Sequence, residues 1–326
     1  MALITHDDFA ELLTRIRQRG LTHMLARLRL THAGRTRSTF NQAELQTSNW
    51  WNIPAVRKRW NKMITGSETL EFEDYVVEKY LAGSKNLTLL SPGCGSGGHE
   101  RRFARHPQVF DHITGIDLSP NLIREATALT KKEGLENVSF LVADIHSMDI
   151  PPACMDVILF NQALHHFRNV RNLLENQIWP ALKPGGLLIV HEYVGPARLQ
   201  WEADELAIIN RLLREEIPDK FRMRAGSRTV KQRVTGPGLL RMLLSDPSEA
   251  VDSPHILLAL EELFEKKEGR PVGGNILMPL LKDIAHHFAG PNAQAQAILQ
   301  HLFREEDEFL KTHPSLIHFG VYQKLD

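Results

Sequence analysis

The sequence predicts an α/β protein built on one mostly parallel sheet with helices on both faces. Three observations lead there. Between residues 68 and 194, short runs of branched and aromatic residues alternate with longer stretches of helical apolar spacing, and that alternation builds parallel sheets through helical crossovers. A glycine-rich loop, "SPGCGSGGHE" at 91–100, follows the first strand and opens the next helix. Acids then close the following two strands: Asp117 ends the second and Asp144 stands just past the third.

The bulk numbers narrow the class. A chain of 326 residues holds one substantial domain with elaborations, or two domains. Lys plus Arg and Asp plus Glu are both 39, so the formal charge is zero; this is not the basic field of a dedicated nucleic-acid binder. The two cysteines, Cys94 and Cys154, argue against a disulfide framework and for a reducing compartment. No apolar run approaches the ~20 residues that cross a bilayer, and the start, "MALITHDDFAELL", lacks a signal peptide's apolar core. The expectation is a cytoplasmic protein without stable membrane insertion and without a nucleic-acid partner; a homodimer is left open.

Residues 7–30 place Phe9, Leu12, Leu13, Ile16, Leu21, Met24, Leu25 and Leu28 at helical spacing, with Gly20 interrupting. Arg15, Arg17, Arg19, Arg27 and Arg29 take the other face, where a solvated surface is expected. A polar stretch follows to residue 49, and then Trp50, Trp51 and Trp60, expected to pack a cap onto the core rather than to touch a substrate. This assigns residues 1–66 to an N-terminal helical cap and 67–195 to the core.

Within the core, "ETLEFEDYVVEKYL" reads as a helix and "NLTLLSP" as a buried strand. The glycine loop runs into a helix from His99 to about Arg105. "HITGIDLS" is a strand, and "PNLIREATALTKKEG" a helix with Pro120 in an early turn position. "VSFLVADI", "MDVILFNQ" and "GGLLIVHEYV" are strands, the last two separated by the helical "NVRNLLENQIWPAL". Beyond Gly195 the regularity loosens. Residues 200–218 read as a helix and 219–237 as a polar, arginine-rich stretch. "GPGLLRMLLSD" and "DSPHILLALEELFEKKEG" follow as helices, the latter running into a strand near 263–267; 275–312 reads as a helix and "SLIHFGVYQK" as the closing strand. A helical lid insertion is thus expected over 196–262, and the final strands, with a helical insertion, over 263–326.

The loop itself fits two fingerprints. Gly93, Gly95 and Gly98 match the dinucleotide pattern G-x-G-x-x-G; Gly93, Gly95 and Gly97 match the shorter G-x-G-x-G. Both rest on glycines that let a ligand approach the backbone beside a helix N-terminus, and Asp117 suits the ribose of either cofactor. The decision comes downstream. "FLVADIHSMDIP" sets Asp144, an acid for an adenine amino group, beside Ile145, an apolar side chain for its ring. "MDVILFNQALHHF" and "LKPGGLLIVHEYV" complete a succession that dinucleotide domains do not show.

The run from Leu89 to Val194 resembles class I SAM-dependent methyltransferases, the broad group that includes ubiquinone and menaquinone C-methyltransferases and many small-molecule enzymes. The likeness covers about a third of the chain as five ordered motifs. It implies a Rossmann-like core with a mostly parallel seven-stranded sheet, S-adenosyl-L-methionine (SAM) as cofactor and a small-molecule methyl acceptor. It also implies that Gly93, Gly95 and Gly97 pass beneath the methionyl group, that Asp117, followed by Leu118, holds the ribose, that Asp144 and Ile145 hold the adenine, and that Asn161 lies near the methionine end. One position departs from the pattern: the acid usual two residues before the first glycine is Ser91.

Acceptor-side candidates stand at the strand ends, where ligands of open α/β sheets bind. His165 is expected to be catalytic, because an imidazole has the most suitable ordinary pKa for a general base. His166, Glu192 and Tyr193 are expected on the substrate. In the lid, Arg222, Arg224, Arg228, Lys231 and Arg233 crowd together. They read either as a solvated loop or as a clamp on an anionic acceptor group, with Arg224 the first choice for its forked guanidinium. Cys94, between glycines, is expected to pack rather than react. No C-x-x-C or H-E-x-x-H spacing occurs and the His286–His287 pair lacks a carboxylate or thiol set, so no metal is expected. Two alternatives stay open: a protein or RNA methyltransferase, and a SAM-binding regulatory protein without catalysis.

Overall fold

Residues 3–8 and 48–325 are described by the computed structural model. The amphipathic stretch 7–30 and the polar stretch that ends at 49 lie outside the described residues, apart from 7, 8, 48 and 49. Seven strands form one sheet: β1 (Leu87–Pro92), β2 (Phe110–Asp117), β3 (Val138–Val142), β4 (Met155–Asn161), β5 (Leu182–Tyr193), β6 (Glu265–Gly273) and β7 (Ile317–Gln323). Their order is β3-β2-β1-β4-β5-β7-β6. The first five are parallel; β7 runs antiparallel between β5 and β6. After β3 the chain returns to lay β4 on the opposite side of β1, so the order reverses there. Carboxyl ends of strands splay apart at such a reversal and leave a crevice.

Alternation along the strands divides the core. Leu89, Val157, Leu159 and Ile189 face one apolar layer with Phe72, Phe103 and Phe110. Leu90, Ile158, Phe160 and Leu188 face the other, with Leu164, Ile178 and Phe264. Helix ends follow local chemistry. Helix Pro120–Glu133 starts where the Ser119 hydroxyl accepts from the Leu122 N–H at 3.3 Å, and stops at left-handed Gly134. Helix Pro54–Thr65 likewise begins on a proline and ends at left-handed Gly66, and it packs against β6.

Three stretches differ from the sequence expectation. The stretch read as one helix over 275–312 consists of Leu277–Leu281, a 3-10 turn at Ala285–His287 and Ala293–Phe309. Left-handed Asp283 (φ 70°) breaks it first, and Gly290-Pro291 breaks it again. The strand expected near 263–267 extends to Gly273, on the sheet edge. Its charges and Pro271 hide the apolar alternation and keep that edge from pairing with other chains. The helical stretch before β5 carries a π-helical turn at Leu174–Ile178, next to Pro180, which has no N–H for an i−4 carbonyl. Among the described residues no helix is long and apolar enough to cross a membrane.

Candidate active site

Two cavities meet at the carboxyl ends of β1, β4 and β5. The smaller, about 480 Å³, lies over the glycine loop, and Gly93, Gly95, Asp117, Leu118, Asp144, Ile145 and Asn161 all line it. Gly97 does not; it stands behind the loop. Its φ of +71° is left-handed, and a Cβ there would come 2.3 Å from the Phe140 ring. Gly98, the third glycine of the dinucleotide pattern, has open space where its Cβ would stand and no left-handed backbone. The packing therefore demands G-x-G-x-G and leaves the other fingerprint without a physical basis. At Gly95 a Cβ would meet nothing within 4 Å although the residue lines the cavity; this is a backbone surface left clear for a ligand.

Asp117 ties the loop to the next helix. Its carboxylate accepts from the Gly95 N–H at 3.0 Å and from the Ser119 N–H at 2.8 Å. Burial still holds this carboxyl above its ordinary range, against the pull of those backbone bonds. Asp144 is exposed and caps the turn Ile145–Ser147 by accepting from the His146 N–H at 3.0 Å, beside buried Ile145. Acid, apolar platform and clear glycine backbone are the surfaces an adenosyl group bearing a methionyl tail requires, so these residues fit SAM.

The departure at Ser91 has a structural counterpart. Its hydroxyl donates to Glu100 Oε1 at 2.5 Å, both groups buried. An acid thus reaches the usual position from the helix after the loop, and burial raises its pKa. Sequence reading missed Glu100; the signal was an acid in the first turn of that helix, paired with the serine that replaced the strand's own acid. Cys94 packs as expected, its thiol pushed up by burial and then by Glu100 and Asp117.

The larger cavity, about 930 Å³, adjoins the first, with Asn161, Gln162 and His166 in both walls. Its apolar lining includes Trp50, Trp60, Phe72, Trp201 and Met278, with Trp50 and Trp60 edge to face at 4.8 Å. The tryptophans read as cap packing therefore also form cavity wall. His165 lines this cavity. Its Nδ1 bonds Glu192 Oε2 at 2.8 Å, while Glu192 Oε1 accepts from the Ala163 and Leu164 N–H groups at 2.6 and 2.7 Å. Burial lowers the His165 pKa, but the Glu192 bond and charge outweigh it and leave the pKa raised; burial and then His165 lower that of His166.

Glu192 is therefore misread as a substrate contact. It is fully buried, lines neither cavity and spends both oxygens on orienting His165 and its turn. Tyr193 lines the larger cavity, its hydroxyl donating to the Pro196 carbonyl at 3.0 Å. Arg224 is corrected too: it lines neither cavity, and its buried guanidinium pairs with Asp283 and faces Asp7 at 3.9 Å. Its segment is a solvated loop only in part: Arg228 and Arg233 are exposed, and Lys231 lines the larger cavity. Arg222 is buried and pairs with Asp219. Lys231 is buried and donates to the carbonyls of Pro279, Leu280 and Lys282 at 2.7, 3.0 and 2.8 Å; burial lowers its pKa to about 8.

Sequence reading also missed Glu249. The insertion between β5 and β6 brings its carboxylate beside the histidine pair, 3.7 Å from His165 Nε2. One ligand atom from each of His165, His166 and Glu249 lies within 4.8 Å of the others. No local spacing announces this set, because the carboxylate arrives from a distant insertion.

Comparisons with known proteins identify the family and the fold. A family model described as a methyltransferase domain matches residues 83–267. A sterol 24-C-methyltransferase of Gibberella zeae is 34% identical over 122 residues, 36% of this chain and 31% of that protein. A 2-methyl-6-phytyl-1,4-hydroquinone methyltransferase of Synechocystis is 30% identical over 106 residues, 32% of each chain. The matches thus span about a third of the length of these curated relatives. Among solved structures, geranyl diphosphate C-methyltransferase from Streptomyces coelicolor shares the fold with a TM-score of 0.52 at 11% identity, covering 91% of this chain and 99% of that one.

Proposed function

We propose that this chain, which belongs to the methyltransferase-domain family, transfers the methyl group of SAM to a small, largely apolar acceptor. The observation that carries this reading is the pair of adjoining cavities, one over the glycine loop and one walled by aromatic side chains, with His166 and Asn161 shared between them. SAM supplies an activated methyl on its sulfonium; the protein's part is to bind, align and exclude water. Gly93, Gly95, Asp117, Leu118, Asp144, Ile145 and Asn161 hold the donor, with Gly97 shaping the loop from behind. The acceptor lies in the larger cavity, whose volume is near the top of the usual range for small-molecule sites. The names of the sterol and phytyl-hydroquinone relatives support an extended apolar body.

His165 serves the acceptor side. With Nδ1 engaged by Glu192, its Nε2 faces Glu249 at 3.7 Å in the wall of the larger cavity, and His166 and Tyr193 contact the acceptor beside it. Incubation with methyl-labelled SAM and a panel of prenylated hydroquinones and sterols should yield a methylated product. His165→Ala should lower kcat by about 10²-fold or more, within the range for a positioned side chain, and leave the SAM Kd within twofold. A loss confined to SAM affinity, or no transfer to any apolar acceptor, would overturn the assignment.

A further inference from the structure

We propose that His165, His166 and Glu249 form a binding site for one divalent transition-metal ion, Zn²⁺ or Fe²⁺, at the junction of the two cavities. The proposal deepens the acceptor-side role given to His165 and rests on that reading. Two imidazoles and one carboxylate are the donor set that suits these ions, and three protein ligands leave a coordination position open. The three ligand atoms lie within 4.8 Å of one another. Bonds of about 2.0–2.2 Å to one tetrahedral ion put its ligands roughly 3.4 Å apart. The His165 Nε2–Glu249 side, at 3.7 Å, is close to that, and the widest side must close by up to about 1.4 Å through side-chain rotation.

The surroundings carry the argument further than the triangle does. A metal-binding histidine usually has its other ring nitrogen held by a carboxylate, a carbonyl or water, which fixes the tautomer and orients the ring. His165 is backed in that way, and His166 by a serine hydroxyl that itself holds a carboxylate. Glu192 holds His165 Nδ1 at 2.8 Å, so Nε2 is the atom that faces Glu249. His166 Nδ1 lies 3.3 Å from the Ser248 hydroxyl, which donates to Asp246 Oδ1 at 2.6 Å. The carboxylate ligand is fixed by its backbone. The Val251 N–H donates to the His165 carbonyl at 3.2 Å, Arg198 Nη1 donates to the carbonyls of Pro247 and Glu249, and buried Ala250 is held left-handed at φ 46°. Strained backbone of that kind persists where the surroundings enforce it. All three ligands line the larger cavity, so an ion held by them would take an oxygen donor of an acceptor bound there: a phenolate, an enolate or a carboxylate.

The test uses the full chain, freed of metal by a chelator and titrated with Zn²⁺ by calorimetry and with Co²⁺ by visible absorption. One equivalent should bind, and Co²⁺ should show the d–d bands of a nitrogen- and oxygen-ligated ion. Glu249→Gln and, separately, His166→Asn should weaken binding by at least tenfold, whereas His286→Ala, which alters the exposed histidine pair elsewhere, should not. Thermal stabilisation by S-adenosylhomocysteine identifies which variants are folded, and either folded variant suffices. Ser248→Ala, which removes only the backing of His166, should weaken binding by about 10- to 100-fold. The proposal is overturned if the wild-type chain binds no stoichiometric ion, or if binding survives in the folded ligand variants. Loss of turnover in His165→Ala without any bound ion in the wild type would sink the metal site and leave the acceptor-side role standing. A bound ion with unchanged turnover in His165→Ala would overturn that role instead.

Discussion

Asp117 holds the fold locally and, in the proposed function, the ligand as well. Its two oxygens already hold the N–H groups of Gly95 and Ser119, and each oxygen has a second lone pair for a ribose hydroxyl. Hydrogen bonds to a charged acceptor contribute about 1.5–3 kcal/mol each. Asp117→Ala should therefore raise the SAM Kd by roughly 10- to 150-fold, read by calorimetry; an unchanged Kd would remove Asp117 from the donor site. Arg224 makes the opposite case. A guanidinium enclosed by Asp283 and Asp7 is not available to an acceptor. Arg224→Ala should destabilise the fold by on the order of 2 kcal/mol, as for removing one member of a largely buried pair, and leave the acceptor KM unchanged. A raised KM at unchanged melting temperature would restore the clamp. The sequence showed an arginine cluster with two readings, and its residues divide between burial and solvent: Arg222, Arg224 and Lys231 are buried while Arg228 and Arg233 are exposed, because burial is set by what packs over a segment.

Between elements, single buried acids make the joints. Glu268 on β6 accepts from the hydroxyls of Tyr75 and Tyr80 at 2.9 and 2.6 Å, from Lys79 Nζ at 3.1 Å and from Arg270 Nε at 2.8 Å. The edge strand is thereby pinned to helix Phe72–Tyr80. Burial raises the carboxyl's pKa, but the four donors outweigh it and bring it down to about 2. A folded pKa below the ordinary 4.5 means that this contribution is complete above pH 4.5 and is lost as the pH falls through about 2. Denaturant titrations between pH 6 and pH 3 should show Glu268→Gln to be less stable at pH 6, with the gap to wild type narrowing toward pH 3. A gap that stays constant with pH would mean the carboxylate is not what holds the joint. Glu306 anchors helix Ala293–Phe309 in a comparable way, accepting from the N–H groups of Gly274, Ile276 and Leu277. In sequence neither residue is set apart from its charged neighbours. Their partners come from other elements, so periodicity carries no trace of them.

Across the whole molecule, donor binding should register as stability. A ligand that binds only the folded state stabilises it by about 2.7 kcal/mol at 100 times its Kd. S-adenosylhomocysteine at that excess should raise the melting temperature by several degrees, at roughly 2–4 °C per kcal/mol for a domain of 150–250 residues, while NAD should leave it unchanged. A shift with NAD and none with S-adenosylhomocysteine would reverse the choice between the two fingerprints.

The strands of the core, the glycine loop and the acids after β2 and β3 were all legible from the sequence by itself. Each depends on near neighbours: alternating apolar residues make a strand wherever they occur, and a glycine turn declares its own backbone. Tertiary structure decided that Glu100 bonds Ser91, that Glu192 orients His165, and that Glu249 joins a histidine pair from the insertion between β5 and β6. The contacts of Glu192 and Glu249 join residues far apart in the chain, 27 positions for His165 and Glu192. Charged and polar side chains read alike in sequence whether they face water, one another or a ligand, and only the packing of distant elements settles which.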